Sequence, residues 1–264
     1  AQLANQLSHQ DRRIRLNSQW ELAERGETDA LTAIASDTKA AGNSRLHAVW
    51  GLGHIARLAS EETELGSLKS LLIGLALDPD VNVSVAALKI AGELGWNEAT
   101  RSAQAALKSD QPRVRYTAIE TLGHLKDESA MDQVLSIATG SDRRDTAIRH
   151  AAAMFLYRAV PEEKLASLAA PPSESARLIA VVALRRLRSS ALSQFLGDAQ
   201  VRVVLEAARA IHDEPIQFAL PALAELIANP IESKPLLRRV LNANYRLGQP
   251  KNAEALAAFA RDRI

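Results

Sequence analysis

A short phrase recurs eight times along the 264 residues. It reads apolar-Arg-x-x-small-apolar-x-x-Leu-Gly, with losses from copy to copy. The copies open at Ile14-Arg15, Ser44-Arg45, Val83-Ser84, Val114-Arg115, Ile148-Arg149, Ala176-Arg177, Val201-Arg202 and Leu237-Arg238. The fourth, Val114 through Gly123, is the most complete. Successive Arg positions lie 30, 39, 31, 34, 28, 25 and 36 residues apart. An interval that wanders this much suits paired helices joined by variable loops. It excludes a strict array of about 33–34 residues per unit, as in ankyrin or tetratricopeptide repeats.

Inside each copy the apolar residues return at three- and four-residue steps, so that Val114, Ala118, Leu122 and Leu125 share one helical face. The small residues Ala118, Ala152, Ala180 and Ala208 let neighbouring helices approach. Gly53, Gly92 and Gly123 sit where glycine costs up to about 1 kcal/mol relative to Ala, so close packing or a C-terminal turn is expected there. Asp80, Asp110, Asp145, Glu174 and Asp198 precede these helices and are expected to cap their free N–H groups. Shorter amphipathic helices are predicted between them, at Glu61–Leu77, Ala130–Ala138, Ile216–Ala228 and Ala253–Ala260. Proline falls between helices, at Pro79, Pro161, Pro171-Pro172, Pro215 and Pro230. Aromatics make up only 4% of the chain, fewer than a β-sandwich or barrel of this length would use. The expectation is an all-α array of about eight helical hairpins, with residues 1–264 forming one repeat domain.

The Asp…apolar-Arg…Ala…Leu-Gly grammar resembles the HEAT family, in particular its short bacterial PBS-lyase-like repeats. That resemblance implies a right-handed α-α superhelix, a HEAT-like solenoid. It also implies that Arg15, Arg45, Arg115, Arg149, Arg177, Arg202 and Arg238 form a structural ladder, each bridging to an acid at a neighbouring helix start such as Asp80, Asp110 or Asp145. Ser84 interrupts the ladder, so altered geometry is expected at the third unit, and Pro161–Ser175 is expected to bend the array. Three strings resemble the HEAT region of the exported haem-binding proteins of planctomycete-type bacteria, the putative membrane-bound dehydrogenases: Asp11–Leu16 leading to Leu22–Gly26, Arg45–Gly53, and Leu241–Gly248 with Asn252–Glu254. In that family a β-propeller precedes the array and a Cys-x-x-Cys-His cytochrome c domain follows it. The resemblance thus implies an exported or periplasmic parent protein and no cofactor in this segment. Residue 1 is Ala, and both Ala1–Leu7 and Lys251–Ile264 read as helix, so the chain is expected to be a segment of that longer multidomain protein.

The residues offer little chemistry. There is no cysteine, hence no disulfide, thiolate metal site or thiol nucleophile. No apolar run approaches the ~20 residues of a membrane span, so no membrane insertion is expected. The formal charge is only +1, but it is unevenly divided: −4 over residues 1–132 and +5 over residues 133–264. No basic stripe is interleaved with aromatics, so no nucleic acid is expected as a partner. The six histidines (His9, His47, His54, His124, His150, His212) form neither His-Glu-x-x-His nor any His-Glu dipeptide, against zinc-peptidase and di-iron chemistry. No catalytic residue, metal site or cofactor site is assigned.

One cluster has the makings of a surface. Trp20 and Trp50 share a register, and so do His54 and His124. His47, Trp50 and His54 fall along one helical stripe. Either Trp20, His47, Trp50, His54 and His124 present an interaction patch to a protein or an adjoining domain, or the tryptophans pack against the next unit's helices. The function expected is a non-catalytic scaffold that spaces or docks neighbouring domains of an exported redox protein. A free-standing HEAT adaptor is the alternative, and a HEAT-type enzyme of bilin lyase-like or DNA glycosylase-like kind is a third reading. Oligomeric state is not legible.

Overall fold

The computed structural model describes residues 2–59, 65–140, 145–170 and 173–261, and every regular element among them is helical. Contacts divide the chain into two compact units, Ala1–Val134 and Leu135–Ile264. In the first, α1 (Gln2–Gln6), α3 (Thr28–Ser36), α5 (Gly66–Leu75) and α7 (Thr100–Ala106) alternate with longer partners. These partners are α2 (Arg12–Glu24), α4 (Gly42–Leu58), α6 (Val81–Glu93) and α8 (Pro112–His124). Each short helix packs on the long one that follows, and the long helices pack in succession, α2 on α4, α4 on α6 and α6 on α8.

α9 (Met131–Gly140) runs across the division. The second unit repeats the scheme with α10 (Thr146–Ala159), α12 (Glu174–Leu187), α13 (Val201–Asp213) and α15 (Lys234–Leu247) in succession. α11 (Glu162–Ser167), a 3₁₀ segment at Ser190–Gly197 and α14 (Leu220–Glu225) serve as first helices, and α16 (Pro250–Arg261) packs on α15. Each unit is thus an all-α, HEAT-like stack of helix pairs, the class expected from the repeat. α5, α9, α14 and α16 fall at the four short helices read from sequence and α1 at the helix read over Ala1–Leu7, whereas α3, α7, α11 and the 3₁₀ segment were not foreseen. Residues 61–64, Pro171 and Pro172 lie outside the described residues.

Where a second helix begins is set by the residue before it. Asp11, Asp80 and Asp145 sit in extended or near-extended backbone and accept hydrogen bonds from N–H groups of the first turn, as do the hydroxyls of Ser173 and Ser233. Asp110 is not a cap; Gln111 holds that place without a side-chain bond. Glu174 is the first helical residue, one place beyond its cap Ser173. Asp198 lies further upstream, with Gln200 at the cap of α13.

Counting from these starts revises the ladder. The fourth helical position is filled by Arg15, Arg45, Ser84, Arg115, Arg149, Arg177, Val204 and Leu237. Arg202 and Arg238 are therefore out of register. Arg202 is largely exposed and lies a loose 3.8 Å from Glu174, and Arg238 is exposed.

The recurrent partner at this position is a carbonyl behind the helix rather than an acid. Arg15 donates to the His9 and Gln10 oxygens, Arg45 Nε to Ala35, Ser84 Oγ to Ala76 and Arg115 to Ser109. Such groups satisfy orphan carbonyls at the C-terminal ends of first helices and their loops. Ser84 does this with a short buried side chain at 2.7 Å, so the third unit keeps the anchor. Among the described residues, only Arg45 and Arg177 add a two-pronged carboxylate bond. Arg45 reaches Asp78 at 2.9 and 2.5 Å, and Arg177 reaches Asp198 at 2.5 and 3.1 Å. Both acids stand three residues before the next second helix; Asp80, the expected partner, caps that helix instead.

Alanine and leucine fill the space between helices: Leu31, Leu52, Leu72, Leu88 and Leu122 in the first unit, and Phe155, Leu156 and Phe195 in the second, are fully buried. Gly92 explains the glycine of the repeat. A Cβ there would stand 3.1 Å from the Thr121 Cα on α8, where Thr121 Oγ1 also donates to the Leu88 oxygen at 2.9 Å. The two backbones approach too closely for a side chain. Gly92→Val should therefore destabilise the first unit by about 1–3 kcal/mol through overpacking. Thermal unfolding followed by tryptophan fluorescence checks this, and an unchanged midpoint would show that α8 can withdraw at little cost.

Candidate functional site

The ninth position of each second helix of the first unit is at least partly open to solvent. In the first unit it holds Trp20 on α2, Trp50 on α4, Lys89 on α6 and Glu120 on α8. Trp20 is 48% and Trp50 42% exposed, so neither is core. Their helices pack on each other, which sets two half-exposed indoles at the same turn of adjacent helices.

His47 is not part of that surface. It is buried at 4% exposure, turned from α4 toward α2. Its Nε2 accepts from Arg15 Nε at 3.2 Å, which leaves the proton on Nδ1, and Nδ1 faces Gln19 Oε1 at 2.7 Å. Burial, and then the charges of Arg15 and Arg12, hold the imidazole down at about 4, so it is neutral at pH 7. The Trp50 ring stands edge-on to it, centroids 5.2 Å apart at 85°. The stripe of His47, Trp50 and His54 lies on the border between the α2-facing side and solvent, so one member turns in and another out.

His54 is half-buried and His124 is exposed. α6 packs between α4 and α8, separating His124 from Trp50. The five residues grouped from sequence therefore resolve into a Trp20–Trp50 surface, a supporting His47, a flanking His54 and a distant His124. Arg15 and Gln19 were missed as members. The signal was available: both lie on α2 within a turn or so of Trp20, on the side that meets α4.

The second unit has its own surface. The ninth positions Met154 and Val182 are apolar; Met154 is buried and Val182 is 40% exposed. A groove of about 230 Å³ runs between α10, α12 and α13, lined by Arg149, His150, Leu178, Val182, Arg202 and Glu206 among others. It shares His150 and Val182 with a second hollow bordered by Met154, Arg185, Arg186 and Glu214. Sequence reading placed Arg149 in the ladder and saw no groove here. Further along, His212 lies 2.9 Å from both Asp213 and Asn242, tying α13 to α15. The conspicuous string from Leu241 to Glu254 is structural: buried Asn244 donates to Ala224 and Val240 oxygens and accepts from Asn252 on α16 at 2.9 Å. No helix among the described residues is long and apolar enough to cross a membrane.

Comparison with known proteins gives the following. Residues 68–156 and 100–185 match the family model of HEAT repeats. Among solved structures, the chain is similar to the E. coli protein YibA, with 15% identity, coverage of 90% of each chain and a TM-score of 0.54. It is also similar to importin beta, with 14% identity and a TM-score of 0.56 over 92% of this chain and 37% of that one. The complex of CpcE and CpcF of phycocyanin lyase from Nostoc sp. PCC7120 aligns at 19% identity over 91% of each chain, with a TM-score of 0.46. A search of curated proteins returned no match. At these identities the likenesses show the fold alone.

Proposed function

We propose that this chain is a non-catalytic interaction scaffold whose Trp20–Trp50 face docks an adjoining domain of an exported redox protein of the dehydrogenase and cytochrome c kind. HEAT repeats as a class are protein-binding frameworks, which supports the general reading. The half-exposure of two tryptophans on adjacent packed helices supports the docking face, and the redox parent rests on the resemblance of the three strings alone. Tryptophan is enriched among the residues that dominate binding energy, and a rigid indole loses little conformational freedom on docking. The Arg15–His47–Gln19 bonds brace the ring of Trp50 from below, a preorganised surface rather than a floppy one. The mechanism would be geometric, with helix packing fixing the distance and angle between an oxidising domain and an electron-accepting haem domain.

The surrounding reading frame is the first test. An upstream β-propeller and a downstream Cys-x-x-Cys-His domain are expected, and a complete gene of about this length would overturn the redox-protein reading and leave the free-standing adaptor. The second test uses the flanking domain, produced separately. Trp20→Ala with Trp50→Ala should weaken its binding by about 2 kcal/mol in titration calorimetry, with little change in melting midpoint. Undiminished binding would remove the surface from the proposal, and a collapse in stability would make the tryptophans core residues after all.

A further inference from the structure

The charge of the molecule is partitioned with its fold. Residues 1–134 carry 14 basic and 18 acidic side chains, and residues 135–264 carry 18 and 13, a formal −4 against +5. The positive surplus of the second unit is not spent evenly. Arg185 donates twice to Glu214 Oε1, at 3.1 and 2.7 Å, and Arg188 donates to the Glu214 backbone oxygen. Those two arginines are occupied. Among the described residues, Arg186, beside them, has only the Met154 sulfur at 3.5 Å and the Tyr157 ring 6.0 Å away.

Arg149 departs from its equivalents. At the same fourth helical position, Arg15, Arg45, Arg115 and Arg177 all spend their guanidinium groups on carbonyls, a ring nitrogen or a carboxylate of the chain. The Nε of Arg149 is buried with no hydrogen-bond partner among the described residues. A buried donor left unmade is costly. Arg149 lines the groove of α10, α12 and α13, whose apolar surface is Leu178, Ile179 and the 40%-exposed Val182; Arg202, loosely 3.8 Å from Glu174, and Glu206, 3.8 Å from Arg209, also line it.

We propose that this groove, with the hollow that adjoins it at His150 and Val182, docks an acidic linear segment of a partner protein, an aliphatic side chain seating on Val182 and Leu178 while carboxylates meet Arg149 and Arg202 in the groove and Arg186 in the hollow. Charge complementarity selects that occupant. Arginines beside an apolar surface match carboxylates alternating with aliphatic residues, and Arg binds carboxylate in two-pronged fashion. One aromatic, Tyr157, stands beside Arg186, whereas a single-stranded nucleic-acid channel presents a succession of stacking rings. The inference rests on the interaction-scaffold reading in its general form and not on the tryptophan face, which belongs to the other unit.

The test uses a fluorescein-labelled dodecapeptide of Glu and Asp around a central Leu pair, its Lys-substituted counterpart, and an oligouridylate of equal length. Binding is read by anisotropy at low and at physiological salt. The acidic peptide should bind, more tightly at low salt, and the Lys peptide should not. Arg149→Gln with Arg186→Gln should weaken binding about tenfold, and so should Val182→Glu. Val182 is exposed, so its variant should keep the wild-type circular dichroism. Trp20→Ala with Trp50→Ala should bind the peptide as the wild type does, which separates failure of this groove from failure of the tryptophan face. Equal binding of acidic and Lys peptides, groove variants that bind undiminished, or a preference for oligouridylate would each overturn the proposal.

Discussion

Arg45→Ala should lower the unfolding free energy of the first unit by about 3–5 kcal/mol, because it strands a carboxylate in the interior. Arg45 and Asp78 are only 4% and 6% exposed at their side chains, and among the described residues Asp78 forms no ion pair with another cation. Losing Arg45 also releases the Ala35 carbonyl that its Nε holds at 3.0 Å. Urea unfolding by tryptophan fluorescence reads this cleanly, since Trp20, Trp50 and Trp96 all lie in the first unit. A loss under about 1 kcal/mol would mean that water reaches Asp78 once the guanidinium is gone. Replacing both partners, Arg45→Met with Asp78→Leu, should recover most of the loss, because two desolvated charges gain little over packed apolar groups. If the double variant is as unstable as the single one, the pair contributes more than it costs to bury.

Acid should weaken the same unit through His47. Its folded value lies at about 4, below the ordinary 6.5, so between those limits the unfolded chain binds the proton more readily. Stability is whole above pH 6.5 and falls as pH drops toward 4, by about 3 kcal/mol for that displacement. A protonated Nε2 would point a proton at the Arg15 guanidinium that now donates to it. Asp11 is also held low, by its bonds to Arg13, but that loss belongs to more acid conditions, below 3.8. The proton resonances of His47 should stay those of a neutral ring from pH 7 to 5. His47→Gln should flatten the pH dependence of urea midpoints over that range. A ring that titrates near 6.5, or a variant with the wild-type slope, would refute this account.

The repeat was legible because it is written in helix starts and small residues, which local chemistry dictates. Gly53 and Gly92 announced close approach, and both face a neighbouring second helix. The ladder was misread where an apolar-Arg pair occurs by chance outside its register. Val201-Arg202 and Leu237-Arg238 mimic the phrase, yet α13 and α15 place Val204 and Leu237 at the fourth position. Counting from the capping residue, rather than matching the pair, would have shown it. The tryptophan face was half legible: a stripe at three- and four-residue steps names its members without saying which one turns toward the next helix. The second groove was hidden because three helices build it. Its only linear trace is the change at the ninth position from Lys89 and Glu120 to Met154 and Val182.

First helices shrink from the ten residues of α5 to the five of α1, and one is wound as a 3₁₀ turn, without disturbing the succession of second helices beside them. Each second helix brings its own cap and its own approach to its neighbour, so the opposite side is under little obligation to keep its length. That side is where tags, grafted loops or whole inserted modules can be accommodated, since lengthening a surface connection adds only modest closure entropy. Binding faces on the second helices can then be redesigned separately from whatever is hung behind them.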